Sequence, residues 1–149
     1  MRVTDAAATP TTYVRIDMSG ARTHYSAVPS KESSACPTGE LAQICGEVAA
    51  VIRRAWGRGP AKTTAHWAGP NVLVVLLVNG HTDAEKTMRA AGHIQELLGG
   101  RRLLHVIIED DLKASVERIS GRTVETTLSA TRLDPDLSAE IFLLAPNGD

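Results

Sequence analysis

From residue 39 the apolar positions fall into a helical rhythm. Leu41, Ile44, Val48, Val51 and Ala55 recur at three- and four-residue steps with Ile52 beside them, while Glu40, Gln43, Glu47 and Arg53 lie elsewhere around the wheel. The spacing predicts an amphipathic helix over residues 39 to 55. Thr38 is placed to cap it, Glu40 suits the positive end of its dipole, Arg53 and Arg54 suit the negative end, and Gly57 is positioned to stop it. Gly57-Arg58-Gly59-Pro60 cannot continue a helix. Beyond it, residues 62 to 67 and 71 to 78 read as the strands of a hairpin turning at Ala68-Gly69-Pro70. The second strand contains VLVVLLV, apolar on both faces, which predicts a central strand covered on one side by helices and on the other by a second subunit.

Thr82 and Glu85 have the spacing of a capping box. From there Met88, Ala91, Leu97, Leu98, Leu104, Ile108, Leu112, Ser115 and Ile119 keep a helical rhythm up to Gly121. Gly92 and Gly99-Gly100 interrupt it, so a short helix or turn followed by a long helix is expected, with the glycine pair either carried inside the long helix or splitting it. Residues 123 to 130 and 138 to 144 read as a third and fourth strand across the Asp134-Pro135-Asp136 loop. The order α-β-β-α-β-β predicts an α+β domain: a four-stranded, mainly antiparallel sheet with helices on one face. Residues 1 to 38 mix Ala, Thr, Ser and Pro without sustained periodicity and are expected to form a disordered tail, with residues 39 to 149 as the folded domain. Only residues 12 to 17 (TYVRID) alternate weakly within that tail.

Composition narrows the function more than it defines it. A chain of 149 residues, 43% hydrophobic, suits one core and one domain. With 16 basic and 17 acidic residues the net charge is −1, so no global field draws in nucleic acid, and 3% aromatic content leaves few stacking platforms. Two cysteines, Cys36 and Cys45, are too few for a disulfide framework and fit a reducing, cytoplasmic setting, with Cys45 read as a small core residue. The apolar run of residues 72 to 78 is far too short to span a bilayer, and no continuous apolar stretch follows Arg2 and Asp5 as a signal peptide requires. Any tie to a membrane is expected to run through a partner.

No catalytic or metal constellation stands out, and no cofactor is implied. The histidines at positions 24, 66, 81, 93 and 105 lack zinc-ligand spacing, and no nucleophile elbow accompanies any serine. Asp134, Asp136 and Glu140 are too irregular for a calcium loop, turn chemistry around Pro135 accounts for both aspartates, and Glu109-Asp110-Asp111 reads as a solvated helix face. The segment Gly57-Arg58-Gly59-Pro60-Ala61-Lys62 has two readings. It is a helix-stop turn with exposed cations, or an anion and partner contact in which glycine amides sit beside Arg58 and Lys62, with Arg122 as a third candidate cation. It is not a Walker loop, because it leaves a helix and enters a strand.

Residues 40 to 146 resemble the MpsC-like family, named for a subunit of a Na+-translocating, membrane-potential-generating system. The resemblance rests on Gly57-Arg58-Gly59-Pro60-Ala61-Lys62, Thr82-Asp83-Ala84-Glu85-Lys86-Thr87, Gly121-Arg122-Thr123-Val124, and Asp134-Pro135-Asp136 with Glu140, Phe142 and Pro146. It implies an accessory component of a membrane cation or bicarbonate uptake system that is itself soluble. The leading expectation is therefore a non-catalytic, homodimeric accessory or regulatory domain acting by protein contacts, peripheral to the membrane through a transport-system partner. The alternative is a small-anion or nucleotide sensor built on Gly57, Arg58, Gly59, Lys62 and Arg122.

Overall fold

The computed structural model of the chain describes residues 39–148. The expectations for residues 1 to 38, among them the TYVRID alternation and Cys36, lie outside them. Within the described residues the elements follow as α1 (Glu40–Trp56), β1 (Lys62–Trp67), β2 (Val72–Val78), α2 (Asp83–Ala90), α3 (Ile94–Ser120), β3 (Val124–Arg132) and β4 (Leu137–Leu144). The fold is α+β, as the periodicity predicts, and the sheet is antiparallel throughout with strand order β1-β2-β4-β3.

α1 buries the stripe read from its spacing: Ile44, Cys45, Val48, Val51 and Ile52. Its start differs from the expectation. Gly39 occupies the cap position with φ 75° and ψ −135° and provides no side-chain bond, a conformation open to glycine because it has no Cβ. At the other end Gly57 takes the left-handed conformation and its N–H closes on Arg53 O at 2.9 Å. α2 opens on the expected capping box, with Thr82 Oγ1 accepting from the Glu85 amide and Glu85 accepting from the Thr82 amide. α3 carries Gly99-Gly100 inside it. Both are exposed, so they cost only helix propensity, roughly 1 kcal/mol each, and the buried Leu97, Ile108, Leu112 and Val116 on either side hold the helix in place.

The helices cover one face of the sheet. Leu73, Val75 and Leu77 of β2, Ala65 of β1, Val124 of β3, and Phe142 and Leu144 of β4 form a single buried cluster with the inner sides of α1 and α3. α1 packs over β1 and α3, while α3 packs over β3. Period-two alternation sends the next residues to the opposite face, where Val72, Val74, Leu76 and Val78 of β2 and Leu137, Ala139 and Ile141 of β4 are half-buried. Leu143 and Leu128 on that face are 38% and 65% exposed. Asn79 leaves β2 with φ 54° and donates to Asp136 O at 3.1 Å, which ties the end of the first hairpin to the turn of the second.

Candidate functional site

β4 alternates like any half-buried strand, but two of its four fully buried positions are polar: Ser138 and Glu140 share the inward side with Phe142 and Leu144. α3 does the same. Arg101 sits in the inward stripe between Leu97 and Ile108, and His105 follows one turn later. The two elements face each other, so the molecule contains a polar interior at the α2 end of the sheet.

Arg101 is its hub. The guanidinium lies 2.6 Å (Nε) and 3.0 Å (Nη2) from the two carboxyl oxygens of Glu85, a bidentate pair, and is centred 5.9 Å over the Trp56 ring. Its remaining donors reach Ser138 Oγ and Gly80 O, each at 3.4 Å. Burial raises the Glu85 carboxyl, but the bonds from Arg101 and Thr82 outweigh it and hold the group below the usual carboxylate range. One carboxylate thus closes the helix cap and neutralises a buried guanidinium. Beside this pair, His81 is buried with Nδ1 3.0 Å from Asp136 Oδ2, and its backbone N–H donates to the same oxygen at 2.8 Å. Burial lowers the His81 imidazole more than Asp136 raises it.

A second group lies further along α3. Glu140 is 1% exposed and accepts a short hydrogen bond from Ser129 Oγ across the β3–β4 ladder. Its other oxygen is 3.1 Å from His105 Nδ1, yet the two are not aligned for a hydrogen bond and both stand without a partner. Burial pushes Glu140 up to about 7, against a small opposing effect from Ser129, and burial followed by the nearby Arg101 charge lowers His105. Both groups are therefore biased towards their neutral forms. They form the floor of a cleft between α3 and β3, made of adjoining hollows of about 320 Å³ and about 170 Å³ that share Arg102, His105 and Ser129.

The residues singled out from sequence are arranged differently. Gly57, Arg58, Gly59 and Lys62 sit together between α1 and β1. The Gly57 amide is committed to ending α1, whereas a Cβ on Gly59 would meet only the guanidinium group of the exposed Arg53, at 3.0 Å from Nε, which has room to shift. Arg58 is 45% exposed and lies 3.9 Å from Asp83. Lys62 opens β1 on the uncovered face and is exposed. Arg122 lies at the far end of β1, over the Trp67 ring at 5.3 Å, with its donors on Ala145 O, Pro70 O and Asn71 Oδ1. It pins the β1–β2 turn to the chain after β4 and does not join Arg58 and Lys62. The three acidic candidates separate as well: Asp134 pairs with Arg89 at 3.1 Å, Asp136 with His81, and Glu140 points inward. No group of three or more potential metal ligands occurs among the described residues.

Residues 40–146 match the family model described as Na+-translocating membrane potential-generating system (MpsC). No curated protein and no solved structure matches the chain.

Proposed function

The chain belongs to the MpsC family, and from this premise we propose that it is a non-catalytic accessory component of a Na+-translocating assembly, acting as a homodimer through protein contacts. No helix of the described residues is long and apolar enough to cross a membrane, so this domain's contribution to ion movement is assigned to contact with a spanning partner. The observation that carries the reading is the bare face of the sheet. Four strands about 4.8 Å apart and about seven residues long give a footprint on the order of 400 to 450 Å², the size of the largest patches single proteins expose, which often serve a contact.

That face has the anatomy of an interface. Val74, Leu76, Ile141 and Leu143 occupy its centre, and Lys62, Thr64, His66, Thr126 and Arg132 lie along the two edge strands, with Leu128 and Ala130 as the apolar members of the β3 edge. We assign a second copy of the chain to it, because a two-fold pairing of identical faces stacks apolar centre on apolar centre and leaves the polar edge residues at the rim. The anion-sensor alternative retains Arg58 and Lys62 but has no convergent third cation.

The accessory role is tested by capture. A tagged full-length chain, recovered from mildly solubilised membranes of its own host, is expected to bring down an integral membrane ion-translocating subunit in fixed proportion. Recovery from the membrane fraction with no integral membrane protein attached would contradict the role.

A further inference from the structure

The cleft between α3 and β3 ends on polar atoms that the domain itself does not satisfy. Glu140 Oε1 and His105 Nδ1 lie 3.1 Å apart, and neither has a hydrogen-bond partner. An unsatisfied buried polar group costs about 1 to 3 kcal/mol, so two of them side by side call for an occupant: both line the hollow of about 170 Å³, and His105 also lines the adjoining one of about 320 Å³. The rim identifies its charge. Arg101 and Arg102 both line the larger hollow, and whereas Arg101 is held by Glu85, Arg102 is exposed and makes no ion pair or hydrogen bond among the described residues.

The other groups facing the cleft do not cancel that charge. Glu109 of α3 is committed to Lys113 at 2.8 Å and to Thr127 Oγ1 at 2.8 Å. From β3 come the hydroxyls of Ser129 and Thr131, and β2 opposes Glu140 with Val75, which is apolar. A neutral Glu140 carboxyl and a neutral His105 ring each carry one donor, and the Thr131 hydroxyl adds another, whereas the Ser129 proton is spent on Glu140. A cation would meet two guanidinium groups here.

We propose that the α3/β3 cleft is a binding site for a small oxyanion, held by Arg102 and the hydroxyl of Thr131 above the Glu140–His105 pair. Ionised Glu140 would put a like charge beside the ligand, so binding requires the protonated carboxyl and takes up a proton from solvent wherever Glu140 is otherwise ionised. The proposal is independent of the sheet-face interface. A monomeric chain that binds an oxyanion would remove the dimer and leave this site intact.

Titration calorimetry of the full-length chain with sulfate, inorganic phosphate, hydrogen carbonate and acetate, each separately, tests the site and ranks the sources of the oxyanion. Sulfate is the decisive probe for pH, because its own charge does not change across neutrality. Its affinity is expected to fall about fifteenfold between about pH 7 and about pH 8.5, following the protonated fraction of Glu140. Arg102→Gln, at an exposed position, is expected to weaken binding about tenfold or more, and Glu140→Gln to retain binding while losing its pH dependence. Should Glu140→Gln fail to fold, the wild-type pH profile and Arg102→Gln decide the matter. Absence of saturable binding by all four ions, or binding that neither Arg102→Gln nor pH alters, would overturn the proposal.

Discussion

Replacing Arg101 by methionine is expected to destabilise the domain by about 3 kcal/mol, the lower end of the cost of breaking a buried ion pair. The Arg101 and Glu85 side chains are only 7% and 13% exposed, and the carboxylate left behind would keep the Thr82 amide as a donor but lose both guanidinium bonds. Ser138 Oγ and Gly80 O would lose a donor as well. Pairing the change with Glu85→Gln removes the stranded charge while keeping a side chain that can close the capping box. The double variant should therefore recover about 1 to 2 kcal/mol relative to Arg101→Met alone. Urea denaturation midpoints of the wild type, the two single variants and the double variant read this cycle directly. An Arg101→Met domain within about 0.5 kcal/mol of wild type would show that the pair is dispensable to the fold.

Glu140→Gln should change how stability depends on pH. The folded-state value of about 7 stands above the ordinary 4.5, so the folded protein binds this proton more tightly than the unfolded chain. Its stabilising contribution is complete below pH 4.5 and is lost as pH rises through about 7, a total on the order of 3 kcal/mol. His81 and His105 act in the opposite sense. Both are lowered from 6.5, so their contribution is present above that value and is lost as pH falls. The difference between wild type and variant isolates Glu140: the two should converge near pH 5, and the variant should gain progressively up to about pH 8. Glutamine preserves the shape, and its carbonyl can still accept from Ser129. Parallel stability curves at all pH values would show that folding does not shift the Glu140 carboxyl.

Most of the architecture is legible in the sequence because each element announces itself locally. Leu41 to Ala55 at helical spacing, Thr82 with Glu85, Gly57, Gly121, and the unbroken VLVVLLV each have one economical reading, and the elements occupy those places. Strand order needs more. That β2 pairs with β4 depends on which edge the α2–α3 crossover delivers β3 to, and no short-range pattern encodes it. The polar interior escapes for a related reason. A signal was present: Glu140 lies two residues before Phe142 on the same side of β4, and Arg101 falls four residues after Leu97 on α3. Either polar residue alone reads as an interruption in an apolar stripe. Their meaning appears only when the crossover sets α3 over β3 and β4, bringing Arg101 to Glu85, 16 positions away, and His105 to Glu140. Arg122 shows the converse, since a cation read as a candidate ligand contact is taken up by three backbone and side-chain oxygens and an indole ring.

The apolar sheet face was legible as well, since seven consecutive apolar residues cannot all be covered by one helix layer. What covers the second face decides whether the domain works as proposed. Light scattering coupled to size exclusion, on the full-length chain at micromolar concentration, should give a mass of twice 15.9 kDa. The double variant Leu76→Glu with Ile141→Glu should give 15.9 kDa with an unchanged far-ultraviolet circular dichroism spectrum, because both side chains sit at the centre of the uncovered face. A wild-type chain that elutes as a monomer, or a double variant that stays dimeric, would contradict the assignment of that face to a second copy.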